Sequence, residues 1–146
     1  MTAAAHDLSG RLVLVTGATR GIGRAVAVAA ASAGAELIIT GRTIGALEEV
    51  DDEIRAAGGM ATIVQLDMTD FPAIPRLAAA IASRWQRLDG FVASAGLLTA
   101  LTPVPHVTQE NWDESMAVNL TGQWHMIRAF DPLLRAAPAG RAILVS

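Results

Sequence analysis

Two kinds of apolar pattern alternate along this chain. Short unbroken apolar runs alternate with longer stretches whose apolar residues recur three and four positions apart. Leu12 to Thr16 is a continuous run before a glycine cluster, the pattern of a strand buried on both faces. Gly21 to Ala33 is Ala-rich and reads as a helix, with Gly34 as its stop. Glu36 to Thr40 reads as a second strand. Thr43 is placed to cap a helix running to about Ala57, with Leu47, Val50 and Ile54 on one face and Gly58-Gly59 ending it. Ala61 to Leu66 predicts a third strand. Pro72 fits the first turn of a helix to about Arg87, with the stripe Ile74, Leu77, Ala78, Ile81. Gly90 to Ala93 predicts a fourth strand. Thr108 can cap a long helix to about Ala137, with a possible bend at Pro132, and Arg141 to Val145 predicts a fifth strand.

Strand and helix repeat four times and one more strand follows. That order implies a Rossmann-type α/β fold, a doubly wound parallel sheet with right-handed crossovers and strand order 3-2-1-4-5. Residues 1–146 contain no repeat, linker or low-complexity tract and read as one dinucleotide-binding domain. The domain reads as incomplete, because its sheet is truncated after the fifth strand, where a further helix normally covers such a sheet.

Composition narrows the function classes. About half the residues are apolar, which argues against disorder. The net charge is −3 and the basic residues are scattered, so no nucleic-acid footprint is expected. There is no cysteine, which excludes disulfides and thiolate metal sites, and no metal site is expected. Met1 to Gly10 carries Asp7 and no long apolar run, unlike a secretory signal, and nothing reaches the ~18 apolar residues of a membrane span. The expectation is a cytoplasmic protein without a membrane partner. All 11 basic residues are Arg, and the chain has no Lys and no Tyr.

The chemistry concentrates in Thr16-Gly17-Ala18-Thr19-Arg20-Gly21-Ile22-Gly23, between the first strand and first helix. A helix N-terminus there offers free N–H groups and a positive dipole end to a pyrophosphate, and glycine lets the backbone approach it. The same residues also suit an ordinary strand–helix turn. After the second strand the chain reads Thr40-Gly41-Arg42-Thr43, with no acid to take a ribose 2′-hydroxyl. Arg42 could instead pair with a 2′-phosphate through its planar fork, or be a solvated surface charge. Asp67 suits a turn or helix cap. Asn119 sits mid-helix, where Asn is a poor helix former and tends to bond locally. His106 and His125 have no metal-ligand partner at useful spacing, and Trp85, Trp112 and Trp124 read as core or helix-packing residues. His106 and Trp112 flank the expected mouth of the site.

The glycine spacing G-x-x-x-G-x-G resembles the cofactor loop of the short-chain dehydrogenase/reductase family, in its TGxxxGIG branch. Further resemblances follow in family order. Asp67 is similar to the family's adenine-contacting Asp, with Met68 beside it. Ala93-Ser94-Ala95-Gly96 stands where the family usually has NNAG. Asn119 matches the active-site Asn, and Arg141 to Ser146 resembles the strand leading to the catalytic Ser, which falls on or one position after Ser146. Ala93 and Ser94 depart from the double Asn, so fewer side-chain bonds are expected to hold that segment.

The resemblance implies hydride transfer between NADP(H), with NAD second, and a small carbonyl or alcohol substrate. It also implies homo-oligomers of the complete protein. Gly17, Thr19, Arg20, Gly21, Ile22, Gly23, Arg42, Asp67, Met68, Ser94, Ala95 and Gly96 would bind the cofactor. Asn119 would hold a water in a proton relay. The family's Tyr-x-x-x-Lys motif is absent from these residues. Two other readings stay open: a non-catalytic dinucleotide-binding module, and a nucleotide-binding methyltransferase. The Gly41-Arg42 pair argues against the second, because such enzymes usually want an acid after strand two.

Overall fold

In the computed structural model, which describes residues 6–146, five parallel strands form one sheet in the order β3-β2-β1-β4-β5. The first five positions of the Met1 to Gly10 segment lie outside the described residues. The strands are β1 (Leu12–Thr16), β2 (Glu36–Gly41), β3 (Met60–Gln65), β4 (Gly90–Ala93) and β5 (Arg141–Leu144). The helices are α1 (Gly21–Ser32), α2 (Ile44–Ala56), α3 (Ala73–Trp85), α4 (Gln109–Met116) and α5 (Gln123–Ala136). Among the described residues no helix is long and apolar enough to cross a membrane.

The side-chain period of two along β1 splits the core between the two faces of the sheet. Leu12 and Leu14 pack with Ile38, Phe91 and the stripe Ile74, Ile81, Met126 and Phe130 from α3 and α5. Val13 and Val15 pack on the other face with Leu37, Ile39, Leu47, Val50 and Ile54, beneath α1 and α2. β1 pairs with both β2 and β4, so the chain reverses its direction of winding there. In such sheets ligands bind at the carboxyl ends of the strands at that switch point.

Three expected boundaries shift for local reasons. β3 begins one residue early, at Met60, because it is in register with Glu36 of β2. Thr43 stands at the N-cap of α2, but its hydroxyl makes no capping bond. The long helix is interrupted. Thr108 caps α4 by accepting the Asn111 N–H (3.2 Å), and Ala117–Gly122 then forms a π-helical stretch before α5 resumes with Pro132 inside it. Trp112 and Trp124 are not core residues; both are about half exposed on that helix. Trp85 does pack, with its indole N–H donating to Glu36 Oε1 (3.0 Å).

Asp89 ties the amino ends of β1 and β4 together. Its carboxylate is buried and accepts the Leu12 N–H (2.9 Å), Arg87 Nε (3.1 Å) and Arg11 Nη1 (3.3 Å). Burial pushes the carboxyl up, but the bonds from Leu12, Arg11 and Arg87 outweigh it and leave it below the usual carboxylate range. A folded-state value that is lowered adds stability above the unfolded Asp value of about 3.9, and that stability is lost as pH falls through the folded value. Asp89→Asn is expected to lower the unfolding free energy by about 1.5–3 kcal/mol at neutral pH. The gap to wild type should shrink as the pH drops below about 4. Urea denaturation of both proteins at neutral and acid pH checks this, and an equal gap at both would refute it.

Candidate dinucleotide site

The carboxyl ends of β1, β2, β3 and β4 open into a cleft of about 520 Å³. The turn from β1 into α1 forms one wall. Gly17 takes a left-handed φ of +62°, and a Cβ there would stand 2.6 Å from Ala95 Cα. Gly21 is also left-handed, at +56°. A Cβ on Gly23 would collide with the carbonyl oxygen of Gly17. The spacing of the three glycines thus answers two separate needs: a turn that side chains disfavour, and two backbone approaches with no room for one. The loop is also tied sideways, with the Ala18 N–H donating to Thr40 O (3.1 Å) at the end of β2.

Arg20 stands at the N-cap of α1 in an extended conformation, and no side chain caps the helix. The first intrahelical bond is Arg24 N–H to Arg20 O (3.3 Å), so the N–H groups of Gly21, Ile22 and Gly23 have no acceptor within the helix. No acid occupies that first turn. An anion fits such an end, because free donors and the dipole point the same way.

The opposite rim carries Arg42, whose carbonyl accepts Gln65 Nε2 (2.8 Å). The guanidinium groups of Arg20 and Arg42 are in no salt bridge among the described residues. Asp67, after β3, accepts both the N–H (2.8 Å) and the hydroxyl (2.7 Å) of Thr69 on Oδ1. Those two bonds hold its carboxyl below the usual range, with a smaller contribution from the charge of Arg42. The turn role and a place in the cleft therefore coexist at Asp67, since both bonds use Oδ1 only.

The segment after β4 forms the floor. Ser94, Ala95 and Gly96 line the cleft, and Leu97 joins them. The Ala95 N–H donates to Thr16 Oγ1 (3.2 Å) and its carbonyl accepts Gln123 Nε2 (2.6 Å). Asn119 takes both backbone groups of Leu97, accepting its N–H on Oδ1 (2.7 Å) and donating Nδ2 to its carbonyl (2.8 Å).

Of the positions expected from the sequence, Gly17, Thr19, Arg20, Gly21, Ile22, Arg42, Asp67, Met68, Ser94, Ala95 and Gly96 line one cleft. Gly23 and Asn119 do not. Gly23 is buried behind the loop and shapes it through Gly17, while Asn119 acts on the wall through Leu97. His106 and Trp112 do not line the cleft, and His125 stacks on Phe71 with centroids 4.5 Å apart. Sequence reasoning missed Thr69, Leu97, Glu114, Val118 and Val145. Thr69 carried a readable signal, an Asp two residues before a Thr. Glu114 and Val118 are one turn apart on the long helix, but nothing in the sequence says which face meets the cleft. Among the described residues no group of three or more His, Asp or Glu is placed to hold a metal.

Comparison with known proteins agrees with this architecture. A family model described as short chain dehydrogenase matches residues 11–146. The uncharacterized oxidoreductase YciK of Escherichia coli is 34% identical over 142 residues, covering 95% of this chain and 56% of that protein. Sorbitol dehydrogenase of Cereibacter sphaeroides is 34% identical over 137 residues, covering 94% of this chain and 52% of its own length. A solved short chain dehydrogenase from Escherichia coli, complexed with NADPH, superposes with a TM-score of 0.93 at 33% identity, covering 99% of this chain and 61% of that one. The chain spans about half the length of the curated relatives it matches. With the glycine turn, the sheet order and these likenesses in place, the chain belongs to the short-chain dehydrogenase/reductase family.

Proposed function

We propose that the cleft binds NADP(H) and that the protein is an NADP-dependent oxidoreductase acting on a small carbonyl or alcohol compound. Arg42 carries the cofactor preference. It follows β2 on the rim of the cleft, and Thr40 to Thr43 includes no carboxylate to take an unphosphorylated ribose. The donor set suits the whole group. The uncapped N–H groups at the start of α1 suit a pyrophosphate, Arg42 and Arg20 suit a 2′-phosphate, and Asp67 beside Met68 suits the adenine. A solved relative of Shigella flexneri is complexed with NADP, with a TM-score of 0.93 and 32% identity over 98% of this chain.

When bound, the cofactor supplies a hydride at nicotinamide C4. The residues of this chain would orient it. Gly17 and Gly23 shape the turn that presents the head of α1 to the phosphates, and Ser94 to Leu97 form the floor against which the dinucleotide lies. Asn119 contributes by fixing Leu97, which is how its amide is spent here. Hydride transfer to a carbonyl leaves an alkoxide that must be protonated, and general acid help is worth about 10²–10⁴-fold. No Tyr or Lys in these 146 residues is available to give it. That observation favours a second reading of the 146 residues by themselves, as a dinucleotide-binding module.

Binding titrations should show tighter binding of NADPH than NADH by about 10- to 100-fold, the worth of a charge-assisted phosphate contact of about 1.5–3 kcal/mol. Arg42→Ala should remove most of that preference, and equal affinities in wild type would sink the proposal. The 146-residue chain should oxidise NADPH only at background rate over a panel of ketones, aldehydes and quinones. Turnover above background that follows the purified protein would show that these residues carry their own proton donor.

A further inference from the structure

Gln123 opens α5 on the side of the helix that meets the cleft wall. It is 8% exposed, one of few buried polar side chains. Nε2 donates to the Ala95 carbonyl at 2.6 Å, while Oε1 is shielded from solvent and has no hydrogen-bond partner. Burying an amide with half its bonding capacity unused is costly, and an apolar side chain of this length would fill the same space without that cost. What the amide does alone is hold Ala95.

Ala95 is the residue on which the phosphate loop rests. Its Cα stands only 2.6 Å from where a Cβ of Gly17 would be, and its N–H is held by Thr16 at the end of β1. One helical turn before Gln123, Asn119 holds Leu97 in the same manner. Two amides at positions i and i+4 of one helix therefore hold alternate residues, Leu97 and Ala95, of the segment after β4. Gly122 between them packs backbone to backbone on the next wall, since a Cβ there would stand 2.7 Å from the Met68 carbonyl oxygen. The strand end itself contributes little. Ala93 has no polar side chain, and the Ser94 hydroxyl makes no hydrogen bond among the described residues.

We propose that Gln123 is a positioning residue for the dinucleotide, fixing the backbone of Ser94 to Leu97 against the glycine loop through the Ala95 carbonyl and thereby setting NADP(H) affinity. It supplies from the helix the bonding that Ala93-Ser94 lacks at the end of β4. The inference rests on the reading of the cleft as an NADP(H) site. Ala95 keeps its position only while a donor faces its carbonyl, so the effect depends on donation and not on volume.

NADPH titrations of the 146-residue chain and of two variants between pH 5.5 and 8.5 test this, with unfolding midpoints measured alongside. Gln123→Met keeps the volume and removes the donor, and should weaken NADPH binding about three- to tenfold at every pH. In Gln123→Glu a carboxyl that is buried and faces a carbonyl is pushed up. Protonated, at the acid end, it donates to Ala95 and affinity approaches wild type; ionised, at the alkaline end, it repels the carbonyl and affinity falls below that of the Met variant. The ratio of variant to wild type is read, so ionisations common to both proteins cancel. A residue that only fills space would give a Met variant that binds like wild type and a flat ratio for the Glu variant, and either result overturns the inference. If the Met variant does not fold, the slope of the Glu ratio decides alone. Failure of the wild-type chain to bind NADPH overturns the cofactor reading first and this inference with it. Normal wild-type binding with unaffected variants overturns this inference alone.

Discussion

At the switch point of the sheet the backbones of three segments meet without room for a side-chain atom between them. Gly23 lies against the Gly17 carbonyl, and Gly17 lies against Ala95, with a notional Cβ only 2.6 Å from its Cα. This contact fixes the relation between the β1–α1 turn and the segment after β4. The cleft lies where those two pieces are pressed together at the carboxyl ends of β1 and β4. Any side chain at Gly17 or Gly23 would have to move backbone, and close-packed interiors resist that.

Around that contact the polar groups are arranged to hold and not to react. Thr16, Asn119 and Gln123 spend their side chains on the backbone of Ala95 and Leu97. Thr69 is spent on Asp67, and Asp89 on the amino ends of β1 and β4. Among the groups left open at the cleft, Arg20, Arg42 and the N–H groups at the head of α1 suit anions, and the Ser94 hydroxyl, Asp67 Oδ2 and the Glu114 carboxylate stand open beside them. The bonded polar groups fix the walls of the cleft, while the head of α1 and two guanidinium groups stay open to an anion. Preorganisation of this kind lowers the ordering cost of binding.

The sheet is held from both sides by unlike means. On the α1/α2 side small residues, Ala27, Ala30 and Ala31, bring the helix close. On the α3/α5 side large ones, Phe91, Phe130 and Met126, fill the core. On that side the helix carries its π-helical stretch, Ala117–Gly122, which includes Asn119 and ends just before Gln123, and π stretches inside α-helices recur at functional sites.

The sequence by itself determined the elements, their order and the parallel sheet, because a strand buried on both faces and an amphipathic helix each impose a local period that composition cannot disguise. The glycine turn was legible for the same reason, since Gly17, Gly21 and Gly23 are required by local backbone geometry and stand close together in the chain. Arg42 was legible from what its segment lacks. Only the tertiary structure decided that Thr43 leaves its helix uncapped, that Trp112 and Trp124 are exposed, and that Asn119 works on Leu97. It alone brought Gln123 to Ala95, 28 positions away. Local periods and turn preferences are properties of neighbouring residues. The partner of a buried amide is a property of packing, fixed only when helix and sheet have met.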